Sequence, residues 1–470
     1  MNVKQNRLIS TIRVIFALNL LASFLPSQLF GQNADSIIYY KPNGTLAQRA
    51  MIVEEMSQDE INSMTQEFIN AYPYFTVIAP ASSRYNCFGY AFCITEKSDT
   101  INLGYHGYAN VVNVFTKDGD TVSFKGVEEN QNPDKAILIE NECKYPGSST
   151  YSPHAAIVYD NNTLISKLGD RPVFKHPKHA YIQGSIELDT TNCYKYYKRN
   201  YTINLSGPDL VNEPATFTAA FTNANFNQIT WEVEPAGLFQ SSTGNGLTAN
   251  LQIRANPTHL ADSGRITFYL GHTNGDNRYR VTKRFAIQIP TCTVTSNAAY
   301  SEGFTIKPGA TVTVTGKINN KANSIIRVPP SGKLYLNGGI LTNTVVNQMW
   351  KGIVVLGNSG LSQTEQNQGT VELSGALIEH AVCAIAAHIG GFNIPVDSLS
   401  GGIIKAVNST FKNNLQAIAY APYENKIQSV SLWTMSENSP NAPLPLITII
   451  VFPPAEYFSN RIFVCGACEG

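Results

Sequence analysis

GKLYLNGGIL (Gly332–Leu341), GTVELSGALI (Gly369–Ile378) and GIIKAVNSTF (Gly402–Phe411) are one pattern written three times. Each begins at a glycine and alternates apolar with polar residues. Each then turns at Gly or Asn and ends in a second short apolar run. The copies start 37 residues (369 − 332) and 33 residues (402 − 369) apart. A unit of this size has one apolar face and nothing of its own to cover it. Stacking copies so that the apolar faces form a continuous core is the stable solution, and it predicts a parallel β-solenoid from about residue 291 onward. The unequal spacing fits coils joined by loops of different length. Asn413 and Asn414 are placed for an asparagine ladder at a coil corner. After about Ser431 the repeat fades into a proline-rich stretch, Asn438–Pro445, with no recognisable cap, so a truncated solenoid is expected over 291–470.

Working back from the repeat, residues 199–290 change character. Six short alternating runs are separated by turn residues: Tyr201–Leu205, Ala215–Phe221, Ile229–Val233, Leu247–Ile253, Arg265–Gly271 and Arg280–Ile289. This spacing predicts an immunoglobulin-like β-sandwich with Trp231 in its core. No cysteine lies between 194 and 291, so the antibody-type disulfide is absent.

Residues 32–198 read as α+β. Ser57 with Glu60 three residues later is a capping-box signal, followed by Ile61, Met64, Phe68 and Ile69 at helical spacing up to Tyr72-Pro73. A second helix is expected from Asn86, with Phe88, Ala91 and Phe92 facing inward. Strands are expected at Val111–Phe115, Thr121–Phe124, Ala155–Tyr159 and Thr163–Ser166, the last two joined by a turn at Asp160-Asn161-Asn162.

Ahead of these modules, Lys4, Arg7 and Arg13 accompany an apolar run, Val14–Leu25, with Gly31 as a cleavage point. That is the pattern of a cleaved secretory signal peptide over 1–31, and it predicts a secreted or cell-surface protein. Formal charge is zero over the 470 residues; removing those three cations leaves 31 basic against 34 acidic groups. Nothing in that balance favours a nucleic-acid partner. Eight cysteines at irregular spacing do not make a disulfide scaffold. Cys465 and Cys468 form a lone CxxC without a nearby histidine, so no metal or cofactor is expected.

The residues that could carry chemistry are Cys87, preceded by Asn86 at a helix start, and His154, which opens a hydrophobic strand. A thiol needs a base to become a good nucleophile, and a helix start helps to hold the thiolate. Cysteine is also among the most buried residue types, so a packed thiol is the competing reading. Over roughly Tyr85–Pro177 the chain resembles papain-like cysteine hydrolases of the NlpC type of cell-wall peptidase. There a Cys opens a helix, a His opens a strand, and a polar residue follows one hairpin later. The resemblance implies Cys87 as nucleophile and His154 as base. It implies Ser166 as the orienting residue and backbone N–H groups at the Asn86–Cys87 helix start as the oxyanion site. The family commonly has His, Asn or Gln where this chain has Ser166; His176 and Asp170 are the alternatives, and Lys167 is expected to point to the other face. The implied activity is that of a cysteine peptidase or amidase acting on peptidoglycan stem peptides or other extracellular peptides. The 199–290 segment resembles the Ig-like or PKD-like spacers of secreted bacterial proteins. The repeat resembles their C-terminal right-handed parallel β-helices, with Met349–Val355 within one coil. Those likenesses imply the competing function, a non-catalytic surface protein whose β-helix binds glycan or a host surface.

Overall fold

The computed structural model describes residues 36–419 and a strand at 447–450, apart from 42, 45, 52–53, 93–122, 139–153, 179, 184–185, 190–193, 274–277, 344, 346–347 and 389–398. The signal-peptide segment, the strand expected at Val111–Phe115, the stretch 438–445 and five of the eight cysteines lie outside the described residues. The described chain forms two compact units. The first comprises its residues up to Ile203 with Phe221–Ile229 and Tyr269–Arg280. The second comprises Asn204–Ala220, Thr230–Phe268 and the residues from Val281.

The first unit is built on a seven-stranded antiparallel sheet. Its strands are β1 (Thr76–Ala79), β2 (Phe124–Val127), β3 (Lys135–Leu138), β4 (His154–Asp160), β5 (Thr163–Lys167), β6 (Val173–Pro177) and β7 (Tyr194–Arg199). They lie side by side in the order β1-β6-β5-β4-β3-β7-β2. The expected hairpin is β4–β5, with Asn162 N–H bonded to the Asp160 carboxylate at 2.9 Å. Residues 121–122 of the strand expected at Thr121–Phe124 lie outside the described residues; Phe124 opens β2 and pairs with Arg199 at the end of β7.

Helix α1 (Gln58–Ala71) starts as its sequence demands. Ser57 Oγ accepts the Glu60 N–H at 3.4 Å, and the Glu60 carboxylate accepts the Ser57 N–H at 3.0 Å. Ile61 and Phe68 are buried, but Ile69 is exposed, because the stripe facing the sheet is too narrow to include it. Phe68 packs on Phe174 with ring centroids 4.9 Å apart, and Phe75 stacks on Phe174 at 5.4 Å. With Ala156, Leu164 and Tyr194 they form the core on one face of the sheet. Burying a phenylalanine there contributes about 2 kcal/mol. Helix α2 (Cys87–Phe92) brings Phe92 edge-on to Phe124 at 5.1 Å. Register places Phe124 on the opposite face from Ala156 and Tyr194, so the two helices cover opposite faces.

The six strands expected between 199 and 290 are all present. Phe217 and Phe285, on strands of two different sheets, meet at 5.0 Å, and Phe239 joins them at 6.1 Å from Phe285. Trp231 is buried, and a Cβ at Gly244 would fall on its indole, so the glycine makes room for the ring.

From Cys292 the chain winds through three stacks of parallel strands. The repeat read from the sequence is the stacking register itself. Lys333 lies on Thr370 and Thr370 on Ile403, while Ile340 lies on Leu377 and Leu377 on Thr410. The inward rows are aliphatic ladders, one of them Val312, Leu334, Val371 and Ile404, all nearly or wholly buried. The ladder resumes beyond the point where the repeat fades, because the strand Ile447–Ile450 pairs with Ile404–Val407. Residue 290 does not interrupt the pairing: Ile289, at the end of the strand Tyr279–Ile289, lies on Ile306 of the first coils. At the corner, Asn414 accepts the Ala381 N–H at 2.8 Å and donates to Ile378 O at 2.9 Å, which clamps one coil to the next.

Candidate active site

Cys87 is the first residue of α2. Asn86 caps that helix: its Oδ1 accepts the Gly89 N–H and its backbone oxygen the Tyr90 N–H, both at 2.8 Å. Cys87 packs with Phe88, Ala91 and Phe92 on the side of α2 that faces the sheet, and the backbone N–H groups around its sulfur pull its pKa down. Burial nevertheless pushes the thiol up to about 11, against the pull of those donors and of the Lys167 charge.

Lys167 ends β5. It is wholly buried, and its Nζ donates to Ser82 O at 2.9 Å and Arg171 O at 2.7 Å. The same Nζ lies 4.6 Å from the centroid of the Tyr85 ring. Burial lowers its pKa to about 8, opposed by the charges of Asp170, Glu55 and Cys87. Glu55 organises the turn beneath: its carboxylate accepts Ser82 Oγ at 2.6 Å, Ser83 N–H at 2.9 Å and Met56 N–H at 3.0 Å. Burial raises its pKa, but these bonds outweigh that and leave it below the ordinary carboxylate range.

His154, Ser166 and His176 lie elsewhere. Ala156 pairs with Ser166, and Ser166 with Phe174, so alternation puts His154, Ser166 and His176 on the α1 face. Ser166 and His176 are brought together, Oγ to Nε2 at 2.8 Å, inside the aromatic core. The His176 Nδ1 is engaged by the carbonyls of Pro177, at 2.8 Å, and Ala180. Nδ1 is therefore the protonated nitrogen and Nε2 accepts the Ser166 hydroxyl. His154 is buried, and burial, followed by the charge of His176, holds its pKa well below the ordinary value. Cys87 sits on the other side of the sheet, with Lys167. The expected grouping of Cys87, His154 and Ser166 is thus divided: the sheet separates the thiol from His154, and Ser166 bonds His176. Lys167 does point to the other face, and that face is the one with the thiol. Sequence reading passed over Lys167 as a neighbour of Cys87. The signal that could have found it is a lone charge in the otherwise uncharged Thr163–Leu168 run.

Among the described residues no group of three or more His, Cys, Asp or Glu is placed to hold a metal ion. No helix among them is long and apolar enough to cross a membrane. Residues 76–197 match a domain of unknown function, DUF7689. The matched span runs from the first residue of β1 into β7, so it takes in the sheet, α2, Cys87 and Lys167. No curated protein and no solved structure matches the chain.

Proposed function

We propose that this chain is an exported cysteine hydrolase, a peptidase or amidase acting on extracellular peptides such as peptidoglycan stem peptides, with Cys87 as its nucleophile. The observation that carries the reading is a thiol at the start of the Asn86-capped helix α2, which lies on the face of the sheet that also holds the buried Lys167. N–H groups at a helix start favour a thiolate and, in this reading, stabilise the oxyanion formed once it has attacked an amide carbonyl. The substrate class rests on the papain-like resemblance of Tyr85–Pro177, and export on the signal-like leader. In this reading residues 199–290 are an Ig-like spacer and the solenoid a right-handed β-helix that holds the protein at a surface. The test is cleavage of peptidoglycan fragments and unstructured peptides by the full chain. Cys87→Ala is expected to abolish it, and undiminished cleavage by that variant would sink the reading.

The division of Cys87 from His154 favours a second reading, a surface protein in which the first unit binds and does not cleave. The solenoid then carries the function. Thr313, Tyr335, Glu372 and Lys405 form one outward row across four coils. Glu372 is paired to Lys333 at 2.5 Å and Lys405 to Glu365 at 2.5 Å. Tyr335→Ala and Lys405→Ala are expected to weaken binding to surface glycans if this row is the contact, with Cys87→Ala silent.

A further inference from the structure

The hydrolase reading leaves the thiol without a base, since His154 faces the other side of the sheet. The groups around the thiol on its own side supply one. Helix α2 covers the face of the sheet to which Ala155 of β4 and Lys167 of β5 turn, Lys167 being the residue after Ser166, the partner of Ala156. The Lys167 side chain is held by the segment that leads into Cys87, through Ser82 O and the Tyr85 ring. We propose that Lys167 is the catalytic base of Cys87, so that the site is a cysteine–lysine dyad in place of a cysteine–histidine one.

This proposal rests on the hydrolase reading and assigns its missing part. A neutral amine has two N–H bonds, and the carbonyls of Ser82 and Arg171 accept both. Its lone pair is then left for the thiol proton. Proton transfer from Sγ to Nζ leaves a thiolate and an ammonium. The thiolate forms a C–S bond to the amide carbon while the carbonyl electrons move to oxygen. Collapse of that intermediate expels the amine, which takes the proton from Nζ; water, giving a proton to Lys167, then adds to the thioester, and collapse breaks the C–S bond, releasing the acid and the Cys87 thiolate, which recovers its proton from Nζ. The ammonium formed in transit is stabilised by the Tyr85 ring and by the charges of Asp170 and Glu55. A lysine whose pKa has fallen to about 8 is in the range a general base needs near neutral pH. Among the described residues, Tyr85 and Tyr90 beside Cys87 in the chain have pKa values raised by burial, so they stay protonated in that range.

The experiment is the rate of Cys87 alkylation by iodoacetamide in the full chain from pH 6 to 10, read by mass spectrometry of the Cys87 peptide. In the unmutated chain the rate is expected to inflect near 8, where Lys167 loses its proton, below the thiol's own value of about 11. Lys167→Met should remove that inflection and lower the rate at pH 8.5 by about a hundredfold, the lower end of general-base effects. Lys167→Arg keeps the cation and the donors to Ser82 and Arg171, and it should fail in the same way because arginine does not deprotonate. His154→Gln should leave the profile unmoved. An inflection that survives in both lysine variants, that arginine restores, or that moves with His154→Gln overturns the proposal. Should Lys167→Met fail to fold, the arginine variant decides. Cleavage assays separate the two claims: loss of cleavage in Cys87→Ala with full cleavage in Lys167→Arg removes the dyad and keeps the hydrolase. A lysine-dependent alkylation profile without any cleavage removes the hydrolase and keeps the proton transfer.

Discussion

The Ser166 hydroxyl donates to Nε2 of His176 at 2.8 Å, and neither side chain is more than 1% exposed. The bond closes a buried polar chain from Ser166 through the imidazole to the carbonyls of Pro177 and Ala180, across the hairpin formed by β5 and β6. Its position among Phe75 and Phe174 makes it a structural lock on that hairpin.

Ser166→Ala is therefore expected to act on stability before activity. It leaves Nε2 buried with its donor gone, which costs about 1–3 kcal/mol. Ser166→Ala combined with His176→Phe should cost less than the sum of the two single changes, because both partners of the bond are then removed. A denaturant titration followed by amide exchange in β5 and β6 measures this. Additive losses would show that the bond carries no coupling.

Acid should loosen the first unit. His154 has a folded-state pKa well below its ordinary value of 6.5, so the unfolded chain binds the extra proton first as pH falls. Stability is thus intact above about pH 6.5 and is lost below it, at up to about 1.4 kcal/mol per pH unit until the folded-state value is reached. Exchange protection of the His154–Asp160 strand, corrected for intrinsic rate, should fall between pH 6.5 and 5. His154→Gln should flatten that fall. An unchanged slope would assign the acid sensitivity to another group.

The solenoid was legible in the sequence because its register is local information. The glycine-led alternation of Gly332–Leu341 and its copies fixes which residues stack, and Lys333 on Thr370 follows from spacing alone. The α1 cap and the Asp160–Asn162 turn were legible for the same reason. The face of the sheet that α2 covers was not. That face follows from β2 and β7, more than 30 residues from α2 in sequence, through Phe92 on Phe124 and Phe124 beside Arg199. Chain order put Cys87 before His154, as in the family it resembles, and carried no record of which side of the strand His154 would take. Lys167 was read as a charge facing away from the histidine, which is what brings it to the thiol.

Gly352 should be the least replaceable residue of the solenoid. Its φ is +108°, and a Cβ there would fall on the carbonyl oxygen of Cys383 in the coil above. Gly352→Ala must break the pairing between strands Trp350–Val355 and Ala381–Ala386. Gly375 has φ +59° with no atom within 4 Å of an added Cβ, so Gly375→Ala should cost only about 1 kcal/mol of backbone strain. Circular dichroism melts of the two variants should differ clearly in midpoint. Equal midpoints would mean that the coil absorbs the clash.

The buried solenoid thiols provide an internal control for the chemistry of Cys87. Cys292 and Cys383 are buried, and burial raises both to about 12. The Cys383 thiol spends its proton on Ile385 O at 3.4 Å. Among the described residues no lysine charge shifts either thiol, in contrast to Cys87. In the native chain at pH 8.5 all three thiols are largely protonated, so a rate difference reports the base and not the resting ionisation. Cys87 is expected to be alkylated about a hundredfold faster than the other two, the lower end of general-base effects. Cys292 and Cys383 should label only as fast as the solenoid opens, accelerating together with added urea. If all three label at one rate, opening of the fold limits every site and Cys87 has no special chemistry. If Cys383 labels as fast as Cys87 while Cys292 stays protected, the coil at Ala381–Ala386 is open in solution, and the stacking described for that edge of the solenoid is wrong.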